Sequence, residues 1–358
     1  MQTDRSKRFP RIAIDGGDFV PGAVVQNGIQ RLVSGFLKGM NELNDPPKTD
    51  YYYFSQRPGL PTQGQSYHRL PSFGFASFSL PMSIIGSGAS FFFGFSGNIP
   101  YFLSRGHVKK VLFFHDFGFF KYPGNYVGSH DRLIRMTQKS LNMADVIIVF
   151  SDYIREEAVK RYPNLSHKIR RVYPGADHLP YAPSAIRIAS DYILYVGVLK
   201  PMKDIERLFA VFAAYRKTSP ATRLIMVGTG EKDYLDKLLH SPAYRTIGDS
   251  VDMLQMLPDD QLAFCYRHAK AVINVSRDEG FCYPVVEALS LGVPVVTNEL
   301  GLYKELARYF PLLQSGRTNQ EILSLLRNTA NVPAPHAIPS EFRWKTFAEN
   351  VLQVAFQA

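Results

Sequence analysis

The segment Ser276-Arg-Asp-Glu279-Gly280-Phe281-Cys282-Tyr-Pro284-Val-Val-Glu287-Ala-Leu-Ser-Leu-Gly292-Val-Pro294-Val-Val leaves this chain few ways to fold. The apolar run Ala271-Val-Ile-Asn-Val275 before it reads as a buried parallel strand. Val285–Leu291 reads as a short helix and Val293–Thr297 as the next strand. This is a β-loop-α-β unit, so the chain needs an open α/β sheet, where ligands bind outside the carboxyl ends of the strands. Glu279 falls at such an end, and Glu287 within the first turns of the helix. The Gly280–Pro284 loop brings backbone N–H groups to a helix N-terminus, which favours anions and hydroxyl oxygens. Such a unit offers acceptors to sugar hydroxyls and donors to a phosphate. Taken alone, the two glutamates equally fit a surface loop with one capping and one solvated carboxylate.

Upstream, Arg11–Asp15 reads as a first strand, followed by a glycine-rich loop with Gly16, Gly17 and Gly22. A helix is expected from Gly28 to Asn41, with Ile29, Leu32, Val33, Phe36 and Leu37 on one face. Strands are expected at Val111–Phe114 and Val146–Phe150. Asp191–Gly197 opens a second series, with a helix over Ile205–Arg216, a strand over Arg223–Val227 and a helix near Tyr234–Leu239. Two βα series joined near Pro180–Ser190 predict two Rossmann-like halves, an α/β fold. The Pro-rich stretch Val332–Pro339 leads into a last helix over Trp344–Gln357. The expected units are 1–185, 186–340 and a final segment 341–358.

The charge is lopsided. Residues 1–190 hold 23 Lys and Arg against 13 Asp and Glu, whereas residues 191–358 hold 18 of each. The surplus suits an anionic partner for the first half: an anionic membrane surface, a phosphorylated acceptor or, least of the three because no recognised binding motif accompanies the charge, nucleic acid. Simple solubility explains it as well. From Arg69 to Arg105 no charged residue intervenes, and Phe91-Phe-Phe-Gly-Phe95 sits inside the run. Gly, Ser and Pro interrupt it too often for a membrane-spanning helix. It reads as a pair of buried elements with uncharged loops, in preference to a lipid- or acceptor-facing surface. Two cysteines, Cys265 and Cys282, are too few for a disulfide framework and suit a reducing, cytoplasmic compartment. No apolar leader follows the N-terminus. No cluster with metal-ligand spacing is seen, so no metal is expected.

The Glu279–Val296 segment resembles the E-x7-E signature of retaining GT-B glycosyltransferases, in particular glycosyltransferase family 4. Matches fall at Glu279, Gly280, Phe281, Pro284, Glu287, Ala288, Gly292, Pro294, Val295 and Val296; Cys282 stands where that family commonly has Gly. Val196-Gly197-Val-Leu-Lys200-Pro201-Met202-Lys203-Asp204 resembles the family's diphosphate-clamping segment, with Met202 in place of Arg. Gly28-Ile-Gln30-Arg31 resembles its G-I-G-R segment with Gln for the second Gly; Arg31 equally fits a surface residue. Phe113-Phe-His115-Asp116 through Pro123 resembles a segment of members that transfer mannose or related hexoses. Ala144–Ser151, Tyr173-Pro-Gly175-Ala-Asp177, Val227-Gly228-Thr-Gly230, Glu305 and Phe342-Arg-Trp344 match further family positions.

The resemblance implies two facing Rossmann-like domains, with the last helix crossing back onto the first. It implies a metal-independent hexosyltransferase that retains configuration, with a nucleotide sugar as co-substrate, GDP-mannose favoured, and no other cofactor. The implied acceptor is a saccharide or lipid-linked saccharide, at the cytoplasmic face of a membrane. His115, Lys203 and Glu279 are the expected catalytic residues. Gly17, Gly28, Gly197, Lys203, Gly228, Glu279, Gly280, Phe281, Cys282 and Glu287 are expected around the donor, with Glu287 on the ribose. Cations near the diphosphate would stabilise the charge that grows as the sugar departs. Cys282, Met202 and Gln30 keep open a second class: a catalytically silent protein that binds nucleotide or glycan as a partner.

Overall fold

In the computed structural model the described residues are 10–17, 28–54, 65–105, 107–123, 130–181, 183–329 and 338–357. Gly22 and most of the Pro-rich stretch fall outside them.

The first half holds seven strands: β1 (Ile12–Gly17), β2 (Thr49–Tyr53), β3 (Gln65–Arg69), β4 (Phe91–Gly94), β5 (Lys109–Phe114), β6 (Val146–Val149) and β7 (Ile169–Arg171). They lie in the order β3-β2-β1-β4-β5-β6-β7, all parallel. The second half holds β8 (Tyr192–Val196), β9 (Arg223–Val227), β10 (Val251–Leu254), β11 (Ala271–Asn274), β12 (Val295–Asn298) and β13 (Leu313–Gly316). Their order is β10-β9-β8-β11-β12-β13, again parallel. A parallel sheet must bury both faces, so its strands are near-continuously apolar. Phe92-Phe93, Val111–Phe114, Val146–Val149 and Ile193-Leu194 are accordingly buried.

In each sheet the strand order reverses once, between β1 and β4 and between β8 and β11. Loops leaving the two strands at a reversal diverge to opposite faces and open a crevice, which is where such folds bind ligands. The second crevice lies between the loop after β8, carrying Gly197 to Lys203, and the loop after β11, carrying Glu279.

One apolar cluster runs through both halves. It joins the first helix (Gly28–Asn41), one face of the first sheet, the helix Tyr283–Ser290 and the last helix (Trp344–Gln357). The last helix returns to the first half, where Phe347 meets Phe36 edge-on at 6.2 Å and Phe356 meets Phe91 at 5.0 Å. Trp344, the single tryptophan, is fully buried, in a slot the sequence leaves for it. A Cβ on Gly35 would sit 2.3 Å from its ring, and one on Gly175 would sit 2.4 Å from its backbone nitrogen. Asp177 Oδ1 accepts from the Trp344 N–H at 2.8 Å. The Gly175–Asp177 turn and the Phe342-Arg-Trp344 segment therefore form one joint.

The uncharged run 70–104 divides. β4 and Phe95 are buried, as expected, but Phe73, Phe78, Met82, Ile85, Tyr101 and Phe102 are exposed. The inner half of the expectation stands and the outer half is corrected. The short helix Leu80–Gly86 buries Leu80, Pro81 and Ile84 and leaves Met82 and Ile85 outside.

Candidate active site

Between the two halves lies a cavity of about 490 Å³, and both reversal points contribute to its wall. Lys203 ends a short turn, Pro201–Lys203, directly after β8, and Glu279 lies in the loop after β11. Lys203 Nζ donates to Glu279 Oε1 at 2.5 Å, and both side chains are largely buried. Burial opposes the charge on Lys203, but the adjacent Glu279 outweighs it and the ammonium pKa lies above its ordinary value. Burial likewise opposes the Glu279 charge, and Lys203 reverses the balance, so the carboxyl lies below its usual range. The pair is thus a fixed cation and a fixed anion. An ammonium has three donors, and a carboxylate about four acceptor positions. Both therefore keep bonding capacity for a ligand in the cavity they line. Lys200 lines the same wall; burial, then Lys203, lowers its pKa.

Gly280 follows Glu279 and touches the other half of the molecule. A Cβ there would meet the His115 carbonyl oxygen at 2.1 Å, so only glycine lets the two loops approach. The Gly280 carbonyl accepts from Ser151 Oγ at 2.8 Å. Ser151 is also the cap of the helix Asp152–Arg161. The loop after β11 is therefore held against the ends of β5 and β6.

Cys282 adopts a left-handed conformation (φ 60°) at the N-cap of the helix Tyr283–Ser290. The turn that glycine would make is made here by a strained cysteine, at about 1–2 kcal/mol. Its sulfur accepts from Asn274 Nδ2 at 3.3 Å and lies 3.8 Å from the Tyr303 hydroxyl. The backbone turn is kept.

His115 follows β5. Its Nε2 lies 2.7 Å from the Phe95 carbonyl, an oxygen that can only accept, so Nε2 carries the proton and Nδ1 the lone pair. Burial lowers its pKa against the opposing pull of the Phe95 carbonyl and Asp116, so the imidazole is neutral at pH 7.

Glu287 occupies a different kind of place. Its Oε1 receives His178 Nε2 at 3.0 Å and faces Arg31 Nε at 3.3 Å, while Tyr266 donates to Oε2 at 2.8 Å. Arg31, from the first helix, also forms a two-point bond to Asp259 at 2.7 and 3.1 Å. The Trp344 indole N–H points at His178 Nδ1 at 3.4 Å, which places the His178 proton on Nε2, toward Glu287. Burial works against the Glu287 charge, but Arg31 and His178 overcome it and hold its pKa at about 2.

Gly28, His115, Gly197, Lys203, Gly228, Glu279, Gly280, Phe281, Cys282 and Glu287 all line the cavity. Gly17 is not among the described lining residues. Its N–H is bound to Asp15 Oδ1 at 3.0 Å and its carbonyl to the Phe54 N–H at 2.8 Å. Gly197 and Gly228 close on one another; a Cβ on Gly228 (φ 151°) would lie 2.0 Å from the Gly197 carbonyl. Arg31 is a buried bridge rather than a surface residue. Asp259, His178 and Tyr266 were not legible as site residues; only the adjacency of His178 to Asp177 marked its region. Glu305 joins the halves too. Its carboxylate accepts from the N–H groups of Asp152 and Tyr153, at 2.8 and 3.0 Å, and from the Tyr173 hydroxyl.

Residues 183–310 match the family model described as glycosyl transferases group 1. The chain is 27% identical over 214 residues to O-antigen chain mannosyltransferase B of Escherichia coli, covering 56% of this chain and 55% of that protein. It is 23% identical over 227 residues to O-antigen chain mannosyltransferase RfbU of Salmonella typhimurium, covering 63% and 62%. The chain spans about half the length of the first of these relatives, and 25% of the Escherichia coli serotype-specific mannosyltransferase WbdA. Among solved structures, the sucrose-phosphate synthase of Thermosynechococcus elongatus superposes with a TM-score of 0.68 at 18% identity, covering 97% of this chain and 98% of that one. WaaG, a glycosyltransferase involved in lipopolysaccharide biosynthesis, does so with 0.64 at 15%, covering 97% and 95%. The chain carries a glycosyl transferases group 1 domain at residues 183–310, within a two-domain GT-B fold.

Proposed function

We propose that this protein transfers a hexose, mannose by preference, from a nucleotide sugar to a saccharide or lipid-linked saccharide, with retention and without a metal. The observation that carries the reading is the buried Lys203–Glu279 pair, set across a strand-order reversal and open to the interdomain cavity. In this reading GDP-mannose lies with its diphosphate toward Lys203 and Lys200 and its sugar hydroxyls toward Glu279 and the Gly280 loop. Fixed cations stabilise the diphosphate most as it gains charge on leaving, and that difference accelerates the step. Neutral His115 accepts a sugar hydroxyl through Nδ1. The acceptor enters from the first half, and the departing diphosphate helps take the proton of the attacking hydroxyl. The two halves in contact exclude water and suppress donor hydrolysis. Glu287 is engaged by three protein donors, so a ribose hydroxyl there would share Oε2 with Tyr266.

A second reading has one observation in its favour. Met202, standing where the resemblance expects Arg, is buried and adds no cation. On that reading the protein binds nucleotide or glycan without turning it over.

One experiment separates them. The protein and its Lys203→Ala and Glu279→Ala variants are incubated with GDP-mannose, UDP-glucose, UDP-N-acetylglucosamine and dTDP-rhamnose, with and without EDTA, plus a lipid extract as acceptor source. Turnover of one donor, insensitive to EDTA and reduced about 10²–10³-fold in both variants, is the expected result. Binding without turnover selects the silent protein, and no binding to any donor removes both readings.

A further inference from the structure

The outer face of the first half carries an apolar surface that the cleft does not use. Around the helix Leu80–Gly86, the side chains of Phe75, Leu80 and Ile84 are buried. Phe78, Met82 and Ile85 are 66%, 53% and 50% exposed. Met82 and Ile85 share one side of the helix, and Phe78 lies in the turn Phe75–Ser79 that leads into it. A helix at a protein–water boundary normally turns polar residues outward; this one turns Met82 and Ile85 outward instead. Phe73 (97% exposed) lies just before it. The turn Tyr101–Arg105 packs beside Phe75–Ser79 and exposes Tyr101 and Phe102. Isolated exposed apolar side chains need no explanation, but a clustered set does.

The flank of this surface is basic. The helix His130–Met143 is tied to the segment leading into the Tyr101–Arg105 turn by Ser140 Oγ, which receives the Ile99 N–H at 3.0 Å and lies 3.1 Å from Asn98 Oδ1. Its exposed side chains include Arg132, Arg135, Met136 and Lys139, at spacings that share one face, against a single acidic residue, Asp131. A protein partner of ordinary composition meets an apolar patch with apolar groups and mixed charges. An uncharged aromatic surface flanked by a helix face carrying Arg132, Arg135 and Lys139 matches the acyl boundary and headgroups of an anionic bilayer.

We propose that this face seats on an anionic phospholipid surface, with Phe73, Phe78, Met82, Ile85, Tyr101 and Phe102 reaching the acyl boundary and Arg135 and Lys139 on the headgroups. The inference deepens the lipid-linked-acceptor reading above, but its test requires no donor and no turnover. The two can therefore fail separately.

The full chain is sedimented with phosphatidylcholine vesicles containing phosphatidylglycerol, and with phosphatidylcholine alone. A triple variant, Phe73→Ser/Phe78→Ser/Phe102→Ser, changes only exposed side chains and is checked for an unchanged melting temperature. It should lose at least about tenfold in partition onto anionic vesicles. Arg135→Gln/Lys139→Gln should lose about fivefold per cation on anionic vesicles, the loss fading in high salt, and nothing on neutral ones. Wild-type protein that stays in the supernatant overturns the proposal. So does a triple variant that binds as wild type. Sedimentation velocity without vesicles covers the remaining occupant: a dimer abolished by the triple variant, with no vesicle binding, assigns the face to a second copy of the chain.

Discussion

Glu279 and Glu287 lie eight residues apart, both buried, both beside a cation and both lining the cavity, yet their partners come from different parts of the chain. The partner of Glu279 is Lys203, from its own half, and the pair lines the cavity. The partners of Glu287 are Arg31 from the first helix and His178 from the segment joining the halves, with Tyr266 completing the set. A carboxylate with a local cation and bonding capacity left over is arranged to receive something. A carboxylate whose donors converge from three distant parts of the chain is arranged to hold those parts together. The spacing of the two glutamates is the same fact in both cases; the partners decide the role.

The comparison breaks most readily at Glu287. Glu287→Ala leaves the Arg31 guanidinium half-paired and strands His178 and Tyr266 in a buried site. A loss of about 3–5 kcal/mol of stability is expected, measured by urea unfolding. Glu279→Ala should cost less, about 1–3 kcal/mol, because Lys203 faces a cavity that water can enter. Equal losses would erase the division of labour.

Acid gives a second view of the same joint. The folded pKa of Glu287, about 2, lies below its ordinary 4.5, so its contribution is complete above that value and is lost as pH falls through about 2. The full effect is about 3 kcal/mol. Burial lowers the His178 pKa as well, so its neutral form is favoured by folding and stability also declines as pH falls below its ordinary 6.5. Urea midpoints measured from pH 7 to pH 3 should therefore fall in both ranges. Glu287→Gln should flatten the decline below pH 4.5, and an unchanged slope there would show that Glu287 is not the group responsible.

Gly280→Ala probes the contact between the halves. Its Cβ would lie 2.1 Å from the His115 carbonyl, so the loops must part. A cost of about 1–3 kcal/mol is expected, with a wider separation of the halves by small-angle scattering. An alanine accepted without change would mean that the halves already move apart freely in solution.

Much of this was legible in the chain, and the gaps have physical causes. The first helix, the helix Ile205–Arg216 and the last helix begin and end where periodicity placed them, because each has one strongly apolar face. β2 and β3 escaped notice because Asp50, Gln65, His68 and Arg69 interrupt the apolar pattern. β3 pairs on one side only and can afford polar side chains. β13 and its Leu-Gln-Ser-Gly sequence hid for the same edge-strand reason. The cavity wall followed from loop motifs, which are local. The joint did not: Arg31 meets Asp259 and Glu287 more than 200 positions away, and nothing near Arg31 in sequence announces either. The outer set of Phe78, Met82 and Ile85 was hidden by its own lack of charge, which read as burial.

The smallest expected effect belongs to Cys282→Gly, on the Glu279 side of the comparison. Glycine would remove the left-handed strain of about 1–2 kcal/mol. It would also free a more flexible backbone in the unfolded chain, at about 0.5–1 kcal/mol, and delete a sulfur that Asn274 and Tyr303 approach, worth about 1 kcal/mol. These terms nearly cancel, so the melting temperature should move by no more than about 2 °C. Donor affinity should change by less than about tenfold, because the sulfur is turned toward Asn274 and the turn itself is already the one glycine would make. A larger rise in affinity or turnover would show that the cysteine Cβ crowds the bound donor. The Glu279 side would then be a receiving site held below its capacity by a single side chain, while the Glu287 side stayed untouched.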